Sequence, residues 1–255
     1  MPKKRLEACN ISIGYGNDPV SKDLSVDIHE GQITVLCGPN GSGKSTLLSA
    51  LRGALSVTSG QVFLDEGPIA ALSAKALARR IACLGQMPSA PEDMLVQDLI
   101  ALGRYSHGHV FRSATSEDQA AIDQALLAVD LKDFSERPLG SLSGGQLQRA
   151  WLAMAIAQDA PTIFFDEPTN HLDLANDLST LRYVRTLCRD HGKTVVIVLH
   201  DLNMAAMVAD RVILLSDGSI AADGTPQSVL TVENIRGVFG VETEIIQNPA
   251  NGQII

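Results

Sequence analysis

No uninterrupted apolar segment in these 255 residues approaches the roughly 20 needed to cross a bilayer. The strongest candidate, Thr194 to Leu199, has the length of a single buried strand, so the chain is not expected to span a membrane unaided. Basic charge is scarce as well. Lys and Arg number 20 against 29 Asp and Glu, a net −9, which argues against broad phosphate neutralisation on nucleic acid. The cysteines Cys9, Cys37, Cys83 and Cys188 are scattered, with no C-x-x-C pair and no histidine spacing suited to zinc. Cys37 and Cys83 sit in apolar runs as small hydrophobes, and a reducing compartment is the simplest expectation. The charged start, Met1 to Arg5, is followed by no apolar stretch and reads as a solvated tail rather than a secretory signal. No internal repeat or low-complexity tract appears.

What is present is an alternation of short β-type runs and helical stretches, which predicts an α/β fold with a largely parallel sheet. Residues 1–35 differ. Leu6 to Tyr15 and Leu24 to Ile28 alternate apolar with polar residues, as half-exposed antiparallel strands do, and Gln61 to Leu64 reads likewise. Arg80 to Gly85 is of the buried strand type. Between about Met87 and Gln158 the strand signals give way to helical spacing, over 96–102 and over 117–127 with Ser116 as a predicted N-cap. The predicted organisation is one domain. Residues 1–86 and 159–255 form an α/β core with a β lobe, and 87–158 form an inserted helical lobe. Strands resume at 162–165, 194–198 and 211–215, and Asn251-Gly252 predicts a closing hairpin between 241–246 and 253–255.

Gly38, Pro39, Asn40, Gly41, Ser42, Gly43, Lys44, Ser45 and Thr46 match the pattern of a phosphate-binding loop. The apolar run 32–37 leads in and a helical segment follows, which is the strand–loop–helix context that pattern requires. Glycines let successive N–H groups turn toward phosphates at a helix N-terminus, where the dipole also favours anions. Thr162 to Phe165 ends in Asp166 and Glu167, two carboxylates where a buried strand reaches the sheet's carboxyl edge. Asp166 suits Mg²⁺ with Ser45 supplying a hydroxyl, and Glu167 suits a base for an attacking water.

Gln86 ends the strand before the helical segment. Its amide oxygen can reach Mg²⁺ or water, although a glutamine there is otherwise a surface residue. His200 closes the run 195–199 and can donate to a γ-phosphate or merely cap the strand. Tyr15, between Gly14 and Gly16, can stack on adenine or pack at a turn. Ser143, Gly144, Gly145 and Gln146 precede a helical run, Leu147 to Ala157, and offer a hydroxyl and amides as a second anion site. One chain thus carries two triphosphate surfaces but one metal and base apparatus. Two copies placed head to tail would complete each other with two-fold symmetry.

In this order Tyr15, the loop 38–46, Gln86, Leu142 to Gln146, Asp166-Glu167, Asp173 and His200 resemble the ATP-binding cassette family over nearly the whole chain. The resemblance implies an ATP-binding cassette of the P-loop NTPase class with a RecA-like core, an antiparallel β lobe and an inserted helical lobe. It also implies ATP as ligand with Mg²⁺, and a head-to-tail dimer closed by ATP and opened by hydrolysis. Ser143 and Gly145 would then reach the other copy's γ-phosphate, with Asp173 among the nucleotide-site residues.

Ala101-Leu-Gly-Arg-Tyr-Ser-His-Gly108 resembles a segment of bacterial importers for iron-siderophore, haem and vitamin B12. Gln148 to Gln158, His200 to Asp210, Asp217-Gly218, Asp223 to Pro226 and the 241–255 segment fit the iron-siderophore branch. That likeness implies an ATPase subunit on the cytoplasmic face of the bacterial inner membrane. Its partners would be integral permease subunits and, through them, a solute-binding protein, and Gln86 with the helical lobe would receive a permease helix. Haem or vitamin B12 import is the near alternative. Asn170-His171 is similar instead to translation-associated cassettes, but the second cassette and charged linker usual there are absent from this sequence, and Ser106 replaces a usual proline.

Overall fold

The computed structural model describes residues 3–16, 18–85, 89–108, 115–168, 174–248 and 254. Gln86, Asp173, Asn170, His171 and the Asn251-Gly252 turn lie outside the described residues. The chain begins with β1 (Lys4–Tyr15), β2 (Asp18–His29), β3 (Ile33–Cys37), α1 (Lys44–Leu51), β4 (Ser59–Leu64) and β5 (Gly67–Pro68). Next come α2 (Ala74–Ala78), β6 (Ile81–Leu84), α3 (Val96–Leu102), α4 (Ser116–Ala128), α5 (Gly144–Ala157), β7 (Thr162–Asp166) and α6 (Leu174–Arg189). It closes with β8 (Thr194–Val198), α7 (Leu202–Val208), β9 (Arg211–Ser216), β10 (Ser219–Gly224), α8 (Pro226–Val229) and α9 (Val232–Phe239). Two compact units result, residues 1–72 with 192–255, and residues 73–191.

In the first unit, β2, β1, β4 and β5 form an antiparallel sheet in that order. Leu6, Ala8, Ile11 and Ile13 of β1 are buried while their neighbours are not, as the alternation of the sequence requires. Beside it β3 runs parallel to both β8 and β9, and β10 pairs antiparallel with β9. Every residue of β3 and β8 is buried, which explains their unbroken apolar runs. Leu47, Leu48 and Leu51 of α1 are buried, fixing the helix that follows the glycine loop.

In the second unit β6 and β7 pair in parallel from Ile81–Thr162 to Leu84–Phe165. Among the described residues between them, regular structure is helical, with α3 and α4 packed against α5. Three expectations shift here. The cap of α4 is Thr115, not Ser116, because only Thr115 has a carboxylate three residues on. Asp118 N–H donates to Thr115 Oγ1 at 3.1 Å, and the Asp118 carboxylate accepts the Thr115 N–H at 3.0 Å. Helix α5 begins at Gly144, so Gly144, Gly145 and Gln146 are its first turn rather than a loop before it. In the first unit, 241–246 is not a strand; a single antiparallel bridge joins Gln247 to Ile254.

Candidate functional site

The glycine loop leaves the carboxyl end of β3 and enters α1. Gly43, the N-cap of α1, has φ 98° and no side chain to cap the helix, so no side chain of the cap residue stands between the first turn and a ligand. Gly38 has φ 147°, and a Cβ there would lie 2.2 Å from the Leu215 carbonyl of β9. Lys44 is buried with Nζ donating to the carbonyls of Gly38 and Pro39, each at 2.9 Å, which holds the ammonium over the loop. Ser45 is exposed at the first turn of α1, whereas Ser42 Oγ is buried with no hydrogen-bond partner among the described residues. These groups fit a nucleoside triphosphate: a ring of amides, an ammonium and an unsatisfied hydroxyl at a helix N-terminus. Cys37, next to the loop, stays a thiol, since burial pushes it up to about 12.

His200 follows β8, whose Val198 pairs with Leu36 of β3, and Leu199 N–H donates to Leu36 O at 3.2 Å. The exposed His200 therefore emerges at the same strand edge as the glycine loop. Asp201 beyond it caps α7, accepting from the N–H groups of Asn203 and Met204. Tyr15 ends β1 with 60% exposure, and the β2 residues next to that hairpin turn, Val20 and Ser21, flank Gly43. A phenol ring so exposed is accessible for stacking.

In the second unit Asp166 ends β7 and Glu167 follows at φ 53°, both half-buried. A glutamate in the left-handed region costs about 1–3 kcal/mol, a strain found where function requires a set side-chain direction. Leu84 pairs with Phe165, so β6 ends beside these carboxylates one residue before Gly85 and the undescribed Gln86. Ser143 caps α5: Gln146 N–H donates to Ser143 Oγ at 3.3 Å, and Gln146 Oε1 accepts the Ser143 N–H at 2.9 Å. Gln146 is thus committed to the cap. Ser143 accepts through a lone pair and keeps its own O–H to donate. The N–H groups of Gly144 and Gly145 have no acceptor among the described residues.

A cavity of about 770 Å³, lined by none of these groups, lies in the second unit. Leu102 and Tyr105, 52% and 73% exposed, line it together with Arg104, Asp118 and Gln158. Arg104 is buried; its Nε donates to Asp118 Oδ1 at 2.9 Å and its Nη1 to Ala157 O at 3.0 Å. His107 Nε2 lies 2.8 Å from Gln158 O. The importer-like segment 101–108 therefore grips the carboxyl end of α5, whose other end is Ser143. The segment is legible in the sequence but the tasks of Arg104 and Asp118 are not; the Thr115-x-x-Asp118 capping spacing is the one local signal pointing to Asp118.

The family model for ABC transporter matches residues 21–170. Ferric enterobactin transport ATP-binding protein FepC of Escherichia coli is 39% identical over 97% of this chain and 92% of its own length. The chain is an ATP-binding protein of the ABC transporter family. Iron(3+)-hydroxamate import ATP-binding protein FhuC of Bacillus subtilis is 38% identical, covering 94% of this chain and 89% of itself. Hemin import ATP-binding protein HmuV of Rhodococcus jostii is 40% identical, covering 97% of this chain and 84% of itself. An ATP-binding cassette solved as a dimer with ADP and Pi superposes with TM-score 0.75 at 26% identity, over 87% of this chain and 98% of that one. A chain from an ABC transporter of metal-chelate type, solved facing inward, superposes with TM-score 0.86 at 30% identity, over 99% of this chain and 95% of that one. The ATP-binding cassette fold, with its RecA-like core, antiparallel β lobe and helices, is the fold of this ABC ATPase.

Proposed function

We propose that this ABC ATPase hydrolyses ATP to drive import of an iron chelate of siderophore type through partner permease subunits. What carries the reading is near-full-length similarity to siderophore and hydroxamate import subunits, at 38–39% identity. The segment 101–108 supports it by lining a partly apolar cavity of a size suited to a partner helix.

In this reading Lys44 and the amides of residues 38–46 bind the β- and γ-phosphates, and Tyr15 stacks on adenine. Glu167 accepts the proton of the attacking water, and His200 donates to the γ-phosphate and orients that water. The donor set suits Mg²⁺: the Ser45 hydroxyl, the Asp166 carboxylate and Gln86 would hold it. Among the described residues no cluster of three acidic, His or Cys groups forms a cage, and Mg²⁺ characteristically takes few protein ligands beside phosphates and water. When bound it neutralises charge on the phosphates. Ser143, with the Gly144 and Gly145 amides, receives the γ-phosphate of a second copy in a head-to-tail dimer, with Gln146 fixing the turn and Asp173 completing the site.

Residues 87–158 act as the helical lobe against the core of 1–86 and 159–255, and with Gln86 receive a helix of the permease. The chain then works at the cytoplasmic face of the bacterial inner membrane, held there by its partners, and meets a solute-binding protein only through them. No helix among the described residues is long and apolar enough to cross a membrane itself. Haem import is the second reading, favoured by the hemin relative at 40% identity.

The test is reconstitution with the membrane subunits in vesicles, with binding protein loaded with ferric siderophore, haem or cobalamin. ATP turnover and uptake stimulated by the ferric siderophore alone support the first reading. Stimulation by haem alone transfers the assignment, and stimulation by none refutes import of this class.

A further inference from the structure

The two glycines of the Ser143 turn are not equivalent. A Cβ on Gly144 would meet nothing within 4 Å. A Cβ on Gly145 would lie 2.4 Å from Asn176 Oδ1, 2.7 Å from its Cγ and 3.0 Å from its Nδ2. Real Cβ atoms do not approach that closely, so the Asn176 amide fills the space a side chain at 145 would need. Asn176 is half-buried in the first turn of α6, the helix that directly follows Asp173. Its side chain joins the first turns of α5 and α6 within one unit.

We propose that Asn176 is a positioning residue for the second nucleotide surface. Its amide packs against Gly145, sets the first turn of α5, and places a neutral polar group beside the amides that receive an anion. This rests on the reading that residues 143–146 take the triphosphate of a second copy. Neutrality matters because Ser143, Gly144 and Gly145 offer only a hydroxyl and two N–H groups. A carboxylate of the same shape would oppose a phosphate at this range with little protein charge to offset it. The requirement for glycine at 145 is thereby steric as well as a matter of ligand approach, and it falls on 145 rather than 144.

The test uses the full chain with Glu167→Gln as parent and reads ATP-driven dimerisation by light scattering, with nucleotide affinity of the monomer measured separately. Asn176→Asp is expected to raise the ATP concentration needed for dimerisation about tenfold, the scale of a unit charge a few ångströms away at intermediate dielectric. The loss should shrink as salt is added, and monomer affinity should hold. Asn176→Ala should weaken dimerisation less and without salt dependence. Gly145→Ala should weaken it and Gly144→Ala much less. The pair Gly145→Ala with Asn176→Ala should be no worse than Gly145→Ala alone, since both remove one contact.

Asn176→Asp behaving as the parent at low salt, or penalties for the pair that simply add, would overturn the role of Asn176. Ser143→Ala separates the two levels. If it weakens dimerisation while Asn176→Asp does not, only Asn176 loses its role. If Ser143→Ala also leaves dimerisation unchanged, the nucleotide surface itself is misassigned. Should Asn176→Asp fail to fold, the Asn176→Ala pair still decides the question.

Discussion

Replacing Asp118 by alanine perturbs the floor of the 770 Å³ cavity at one atom group with several partners. Asp118 Oδ1 accepts from Arg104 Nε at 2.9 Å, while Oδ2 accepts from the Thr115 N–H at 3.0 Å and its hydroxyl at 2.8 Å. Removing one partner of a buried ion pair costs about 3–5 kcal/mol, chiefly by stranding the other charge. The lower end applies, because Arg104 keeps the Ala157 carbonyl as an acceptor. Loss of the capping box adds about 1 kcal/mol. A total near 4 kcal/mol should lower the melting temperature by roughly 8–16 °C, at about 2–4 °C per kcal/mol for a chain of this size. Calorimetry or circular dichroism reads this directly. Asp118→Asn, which keeps an acceptor for Thr115 but drops the charge, should fall between. Acid should act on the same group. The Thr115 N–H, and next the Arg104 guanidinium, hold the carboxyl down at about 2. Its stabilisation is therefore complete above the ordinary carboxylate range and lost as pH falls through about 2. A melting point within about 2 °C of the parent for Asp118→Ala would refute the reasoning, since no buried pair of this geometry should be so inexpensive to break.

Glu167→Gln should lower steady-state ATP turnover about 10²–10⁴-fold, the range for a positioned base, while ATP binding persists; parent-like turnover removes Glu167 from that role. His29 accepts from Arg211 Nη1 at 2.9 Å, and burial first, then the Arg211 charge, depress its pKa despite the opposing carboxylates of Asp27 and Asp223. A base depressed in the folded state is stabilising while neutral. The urea midpoint should thus fall as pH drops below the ordinary histidine range, and His29→Gln should flatten that fall; an unchanged profile in the variant excludes His29 as its source. Ser106 is buried with an Oγ lacking a hydrogen-bond partner among the described residues, so Ser106→Ala should be neutral or stabilising by up to about 1 kcal/mol. A clear loss in urea unfolding would mean the hydroxyl is satisfied after all.

The segments of the cassette that announce themselves locally were readable from residues alone. The runs at 33–37 and 194–198 are apolar throughout because those strands are buried on both faces, and the glycine loop can lie only where such a strand meets a helix. Asp166 and Glu167 followed from the same logic, as the first polar residues at the end of a buried strand. The cap of α4 was misplaced by one residue because serine and threonine both cap, and only the reciprocal bond from Asp118 chooses between them. The segment 241–246 alternates like a strand, but alternation does not supply a partner, and none of its residues is strand-paired among the described residues; the one bridge, at Gln247, falls just past it.

Sequence by itself determined the chemistry on offer: an ammonium, hydroxyls, two carboxylates and two glycine-rich turns, each tied to a strand or helix end by local pattern. Tertiary structure alone decided which groups are already committed. Arg104 binds both Asp118 and the end of α5, and the Asn176 amide occupies the room beside Gly145. Those assignments join residues 14 to 53 positions apart in the chain or turn on a gap smaller than one methyl group. No periodicity encodes either; both are set by how the packed helices share space.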